Sequence, residues 1–402
     1  MPSSNNPDVP TLLKLMRPVP PLPKPEGRVV RVTDGDQFAR AVKNADVGDT
    51  ILLADGRFMI PPGMTLTQDR VSIRSESGDR ERVIIDSSMR RDVMLTLKGT
   101  DDTTIADVTF ANNELYGVRI LGDSNVTRTR IYNVKFHNIY TRGVKGTGAH
   151  RKDDSGDAVP YAPSVVERVR PTDGSIRHCL FINDEIKGDA GYHEPDYISG
   201  IDMMHLKNWT IADNVFTGIR GKNGGGRGAI FIWIASENVV SERNLIVNCD
   251  RGISYGNPSS AMENMYHGII RNNCIVGGAN MAIEVDHCIA TQVCNNSVFA
   301  THFDYDRTVS IARTFTGSRC FNNLIHGKVS LPAQLEQGQN RVGDLSGLFA
   351  NPALGDLRIS VKSPAAAEIA GRGVVLDSVS DDFTGRKRSS PPALGAFEGD
   401  AA

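Results

Sequence analysis

The chain has 402 residues, 40% of them apolar and 23% charged, with a net charge of −2. That is the composition of a folded chain with its own core. Lys+Arg (45) and Asp+Glu (47) nearly balance, so there is no basic field of the kind that holds nucleic acid, and no apolar run reaches the length that spans a membrane.

Residues 1–26 are rich in proline and read as an extended arm without the apolar centre of a secretory signal. A strand follows at Val29 to Val32. Asp34 is placed to cap a short helix on which Phe38, Ala41, Val42 and Ala45 share one face. Gly48 and Asp49 turn the chain into a strand at Thr50 to Leu53, and short strands continue at Met64–Leu66, Val71–Ile73, Val83–Ile85 and Val93–Leu97. An amphipathic helix at this point suits the open end of a stack of coils, where the first coil has no neighbour.

From Gly200 to Asn323 one phrase recurs: Gly or Ala, then Ile, a short strand, a connection, and an asparagine followed by apolar residues. The recurring asparagines are Asn214, Asn244, Asn273, Asn296 and Asn323, with Asp107, Asn133 and Cys179 read as earlier occupants of the slot. A period in the twenties built from strands is that of a β-solenoid. A side-chain amide at each turn can bond the backbone and the same amide one coil on, so these asparagines read as structural. The pattern fades after residue 326, and 327–402 reads as a C-terminal cap and tail laid along the solenoid. The six cysteines (Cys179, Cys249, Cys274, Cys288, Cys294 and Cys320) form no CxxC and read as buried thiols, with one or two disulfides as the alternative.

Writing the coils above one another puts Val118, Val144, Ile201, Ile230, Ile253, Ile283 and Val309 inward. Alternation then turns Arg119, Lys145, Asp202, Phe231, Ser254, Glu284 and Ser310 outward, and beside them Met204, Trp233 and Asp286. Two long insertions, at 146–174 and 184–200, and two short ones, at 220–228 and 256–264, should wall this stripe into a groove. The acidic run Asp153, Asp154 and Asp157 in the first insertion lacks EF-hand spacing and reads as a solvated loop.

A groove along such a stack suits an extended polymer. Phe231 and Trp233 can stack on sugar rings, and Arg119, Arg220, Arg227 and Arg251 can pair with acidic groups. His193 and Tyr197 of the second insertion are further substrate-binding candidates, and Lys145 with Asp202, His205 and Tyr255 are the candidates for proton transfer. Asp202 and Glu284, three coils apart, stand roughly 14 Å from each other and cannot share an ion or act as a glycosidase pair. Glu284 and Asp286, about 7 Å apart on one strand, suit an inverting hydrolase or one Ca²⁺.

The repeat, the capping helix and the closing DDFTGRKRSSPPALGAFEGD together resemble the right-handed parallel β-helix proteins of the pectate-lyase-like superfamily, over about residues 27–400. The resemblance implies an all-β chain: one right-handed parallel β-helix over 27–326 with an N-terminal capping helix and a C-terminal tail. Many members are polysaccharide lyases; others are glycosidases, epimerases or adhesins. The expectation for this chain is therefore cleavage of a uronate-containing polysaccharide by β-elimination. The alternatives are a glycoside hydrolase using Glu284 and Asp286, a uronate C5-epimerase and a non-catalytic glycan-binding β-helix. The resemblance also implies an extracellular or periplasmic setting, with the cytoplasm as the alternative.

Overall fold

The structure is a computed structural model, and it describes residues 7–152, 158–186, 195–259, 262–277, 281–301, 307–360 and 362–399. Among these, the strands form three long parallel sheets. One coil shows the order: Arg130–Tyr132 belongs to the first sheet, Lys135–Ile139 to the second and Arg142–Gly146 to the third. Each strand pairs with its counterpart one coil before and one coil after, which makes a parallel β-helix. The ladder runs on to Arg341–Gly343, one coil beyond the expected end at residue 326. That last coil is half exposed, so its strands Val329–Ser330 and Glu336–Gly338 carry no apolar alternation to read.

Inside, like stacks on like. Ile51, Ile73, Ile105, Ile131, Ile176 and Ile211 form one ladder of the first sheet. Phe110, Phe136, Phe181 and Phe216 stack nearly parallel, with centroids 5.7, 4.8 and 4.6 Å apart. This stack explains the second-position glycines of two third-sheet strands: a Cβ on Gly143 would lie 2.7 Å from the Phe181 ring, and one on Gly200 2.8 Å from Phe216. The helix Gly35–Lys43, capped by Asp34, closes the first coil with Phe38 edge-on to Phe58.

The asparagine ladder forms as expected. Asn214 Nδ2 donates to Asn244 Oδ1 at 2.9 Å, and the same bond links Asn244 to Asn273, Asn273 to Asn296, Asn296 to Asn323 and Asn323 to Asn340. Cys179 holds a ladder position, its N–H bonding Asn214 Oδ1. Asp107 and Asn133 do not: they fall one residue earlier, in the left-handed turn position (φ 58° and 53°) that Asp213 also occupies. Their slots are filled by Val108 and Val134, because Thr109, Lys135, Leu180 and Val215 are in register.

The outer face of the second sheet is also apolar, and both ends of the chain cover it. Leu12, on the helix Val9–Leu13, shares a cluster with Leu180, Leu245 and Leu324 of the sheet and with Phe383 and Leu394 of the tail.

All six cysteines are free and buried, so the disulfide alternative does not hold. Burial pushes Cys179, Cys249, Cys294 and Cys320 up to about 12 and raises Cys274 and Cys288 as well. A thiol of the unfolded chain ionises near about 8.5. Between those values the folded chain keeps protons that the unfolded chain has lost, so stability falls as pH rises. The denaturation midpoint should hold steady below about pH 8 and drop above it, by up to about 1.4 kcal/mol per pH unit for each thiol involved. Cys249→Ala should flatten the slope; a midpoint unchanged between about pH 8 and 10 would contradict the burial of these thiols.

Candidate functional site

The outward stripe of the third sheet is assembled in the expected register. Arg119 lies beside Lys145, Lys145 beside Asp202, Asp202 beside Phe231, Phe231 beside Ser254, and Ser254 beside Glu284. Four connections border it. The first insertion, which carries the helix Pro163–Val169, leaves the strand Arg142–Gly146, and the second enters Ser199–Met204. The glycine loop enters Gly228–Trp233, and the fourth connection leaves Ile253–Tyr255.

Asp202 is the hub. Its carboxylate is wholly buried and receives Arg142 Nε at 2.7 Å, Lys145 Nζ at 3.0 Å and the Trp233 indole N–H at 3.1 Å. Burial alone would raise this carboxyl, but Lys145 and Arg142 outweigh it and hold it below the ordinary range. Burial also lowers the Lys145 ammonium; Asp202 opposes that and Arg142 adds to it. Arg142 is fully buried, donates to the carbonyls of Thr141 and Tyr197, and lies 4.0 Å over the Tyr197 ring. Tyr197 is itself raised by burial and stays protonated.

Buried polar atoms without a hydrogen-bond partner gather here. Among the described residues they include Arg119 Nε, Arg142 Nη2, Lys145 Nζ, Ser199 Oγ, Arg251 Nε and Ser254 Oγ. Lys145 Nζ is close to Asp202 but poorly angled for a hydrogen bond to it. Orphan donors at such density are rare in a protein interior and mark a place that a polar ligand can complete.

The other candidates are distributed as follows. Trp233 is half-buried at the rim, with Phe231 stacked behind it at 5.2 Å. Phe231 is only 4% exposed, so it backs the indole and does not present its own face to a sugar, contrary to expectation. Arg220 is paired with Asp250, whose other oxygen accepts from Gly221 and Gly226 and so shapes the glycine loop. His205 sits in the turn after its strand at φ 56°, its Nδ1 taking the Ala149 N–H. Arg170 of the first insertion donates to the His205, Leu206 and Ala235 carbonyls, which fastens that insertion to the turn.

Tyr255 is the clearest correction. It points inward and is fully buried, with its hydroxyl 2.8 Å from Ser241 Oγ. Ser241 stands where the isoleucine ladder would continue, and the missing bulk makes room for the tyrosine. Tyr255 therefore cannot reach a ligand in the groove. His193 and the cluster Asp153, Asp154 and Asp157 lie outside the described residues.

Glu284 and Asp286 do not fit Ca²⁺. Glu284 takes Arg251 Nη1 at 2.7 Å, and Asp286 is held by Arg313 and by His287 Nδ1 at 2.8 Å. Burial raises both carboxyls against these partners. A cation would have to displace two guanidinium groups, and no group of three or more His, Cys, Asp or Glu side chains among the described residues could hold a metal.

Among solved structures, the pectate lyase Pel9A superposes with a TM-score of 0.56 at 12% identity, over 93% of this chain and 97% of that one. The two chains share the fold of a parallel β-helix. A GH136 lacto-N-biosidase from Eubacterium ramulus matches this β-helix with a TM-score of 0.53 at 12% identity, over 80% of this chain and 68% of that one. An alginate lyase from Paenibacillus sp. str. FPU-7 gives 0.48 at 15% identity, over 79% and 99%. No family model and no curated protein sequence matches the chain. No helix among the described residues of this β-helix is long and apolar enough to cross a membrane.

Proposed function

We propose that this β-helix cleaves a uronate-containing polysaccharide by β-elimination on the outer face of its third sheet, with Lys145 as the base. The observation that carries the reading is the Lys145 amine, buried on the outward stripe 3.0 Å from Asp202 and lowered from its ordinary range by that burial. A neutral amine is what proton abstraction needs. One coil before it, half-buried Arg119 has no carboxylate partner among the described residues and suits a substrate carboxylate, which must be neutralised for the adjacent C–H to acidify. Trp233, one coil beyond Asp202, offers a ring face to a neighbouring sugar. In the reaction, Lys145 takes the proton at C5, the C4–O bond breaks, a C4–C5 double bond forms, and the new ammonium returns the proton to the leaving oxygen. The pectate lyase with the same fold agrees with this reading.

The test is incubation with alginate, polygalacturonate and chondroitin sulfate while following the ultraviolet absorbance of unsaturated ends. Lys145→Met should lower the rate about 10²- to 10⁴-fold with the fold retained, and Arg119→Ala should act mainly on KM. The wild-type rate should rise with pH as Lys145 loses its proton. Reducing ends without unsaturated ends would overturn elimination in favour of hydrolysis.

One observation favours a second reading, a β-helix that binds glycan without turnover. Lys145 is only 5% exposed, so its amine must be uncovered before it can react. Polymer binding unchanged in Lys145→Met, with no product from the wild type, would establish that reading.

A further inference from the structure

A second groove lies on the outer face of the first sheet, away from the stripe just described. The arm crosses this face and is tied down at two points: the Tyr132 hydroxyl donates to the Pro20 carbonyl at 2.6 Å, and Arg74 Nη1 donates to Pro23 at 2.7 Å. Between the arm and the sheet is a hollow of about 790 Å³. Its floor is a column of hydroxyls and one guanidinium, Thr104, Arg130 and Ser175 in register on successive coils, with Tyr132 and Arg177 beside them.

The charge of this hollow is opposite to that of the chain. Lys24, Arg70, Arg74, Arg130 and Arg177 line it, with Glu26 as the one acid among the lining residues. The acids nearby neutralise it poorly. Arg130 meets Asp102 at 2.9 Å, but the arginine is exposed and the pair correspondingly screened. Arg177 reaches Asp213 at 3.8 Å, and the same carboxylate already faces Arg243 at 3.0 Å and Arg17 at 3.5 Å. Burial raises Asp107, which weakens what it returns to Arg74 at 3.8 Å.

We infer that this groove binds a second stretch of an anionic glycan, carboxylated or sulfated, without cleaving it. Guanidinium groups recognise carboxylate and sulfate in forked pairs, and the hydroxyl column can exchange hydrogen bonds with sugar hydroxyls. The column repeats at about 4.8 Å along the stack, which suits a linear polymer lying along the axis. A peptide strand is a poor occupant: the arm that forms the wall carries Pro18, Pro20, Pro21, Pro23 and Pro25, which have no N–H to pair with it. The inference rests on the proposed acidic-polysaccharide substrate but not on the cleavage chemistry.

The experiment is electrophoresis through gels holding polygalacturonate, alginate or chondroitin sulfate, in a Lys145→Met background so that no polymer is consumed. Adding Arg130→Ala and Arg177→Ala should weaken retention about tenfold or more, with an unchanged thermal midpoint. In the otherwise wild-type chain the same two substitutions should leave turnover of short soluble oligosaccharides intact. Unchanged retention, a loss of oligosaccharide turnover in step with retention, or no retention of the parent chain by any of the three polymers would overturn the second groove. If the wild type makes no unsaturated ends while retention still depends on Arg130 and Arg177, the elimination reading fails and the groove stands.

Discussion

Replacing Arg142 by alanine is expected to lower stability by about 3–5 kcal/mol, among the largest effects of any single substitution in this chain. Asp202 would lose its 2.7 Å bond to Arg142 Nε and keep a buried negative charge with one poorly angled ammonium beside it. The Thr141 and Tyr197 carbonyls would lose their donor, and the Tyr197 ring its cation. Chemical denaturation reads the change directly. Arg142→Lys should recover only part of the loss, because an ammonium cannot bridge the carboxylate and two carbonyls in one plane. In a double-mutant cycle, Arg142→Ala with Asp202→Ala should cost less than the sum of the two, since the second change removes the stranded charge. A loss below about 1 kcal/mol for Arg142→Ala would mean that water reaches the cluster and screens its charges.

Asn273→Ala should cost about 3 kcal/mol or more. Asn273 Oδ1 accepts from both the backbone N–H and the Nδ2 of Asn244, and its own Nδ2 donates to Asn296 and to the Ser241 carbonyl. Deleting the amide strands several buried groups at once, at about 1–3 kcal/mol for each that finds no new partner. Position supplies the control. Asn340, at the end of the ladder and partly exposed, should cost about 1 kcal/mol when replaced by alanine, because water can take over its bonds. Equal losses at the two positions would show that the ladder does not act as a buried chain of amides.

Much of this architecture was legible because a solenoid repeats its text. The inward column from Val118 to Val309 fixed the register, and since strand side chains alternate, the outward column followed from it. That is how Lys145 and Asp202, 57 positions apart, could be set side by side. The same alternation, applied strictly, turns Tyr255 inward, and the serine at 241 among isoleucines was the signal that the core had room for a hydroxyl. Arg142 shares the parity of Val144 in the inner column, yet its side chain joins Asp202 of the outward column under Tyr197, because the strand does not alternate strictly at Gly143. Asp107 and Asn133 fall one residue before the ladder because the turn holds two positions in succession that suit polar side chains, a left-handed one and the ladder one. The roles of His205 and Arg220 were beyond reach of spacing, since each depends on a partner, Ala149 or Asp250, brought in from another part of the chain. The second-sheet strands, apolar on both faces at Leu180–Ile182 and Leu245–Cys249, did carry a sign that something must lie over them.

What lies over them changes how the stack holds together. In a bare solenoid each coil feels only the coils above and below, so melting can begin at an end and travel inward like a zipper. Here Leu12 of the arm and Leu394 of the tail share one apolar cluster with Leu180, Leu245 and Leu324, which belong to coils well separated along the axis. The two ends of the chain act as a clasp fastened across the rungs. Unzipping the last coils means lifting the tail, and lifting the tail uncovers leucines in the middle of the stack, so the molecule behaves less as a row of units than as one cooperative body.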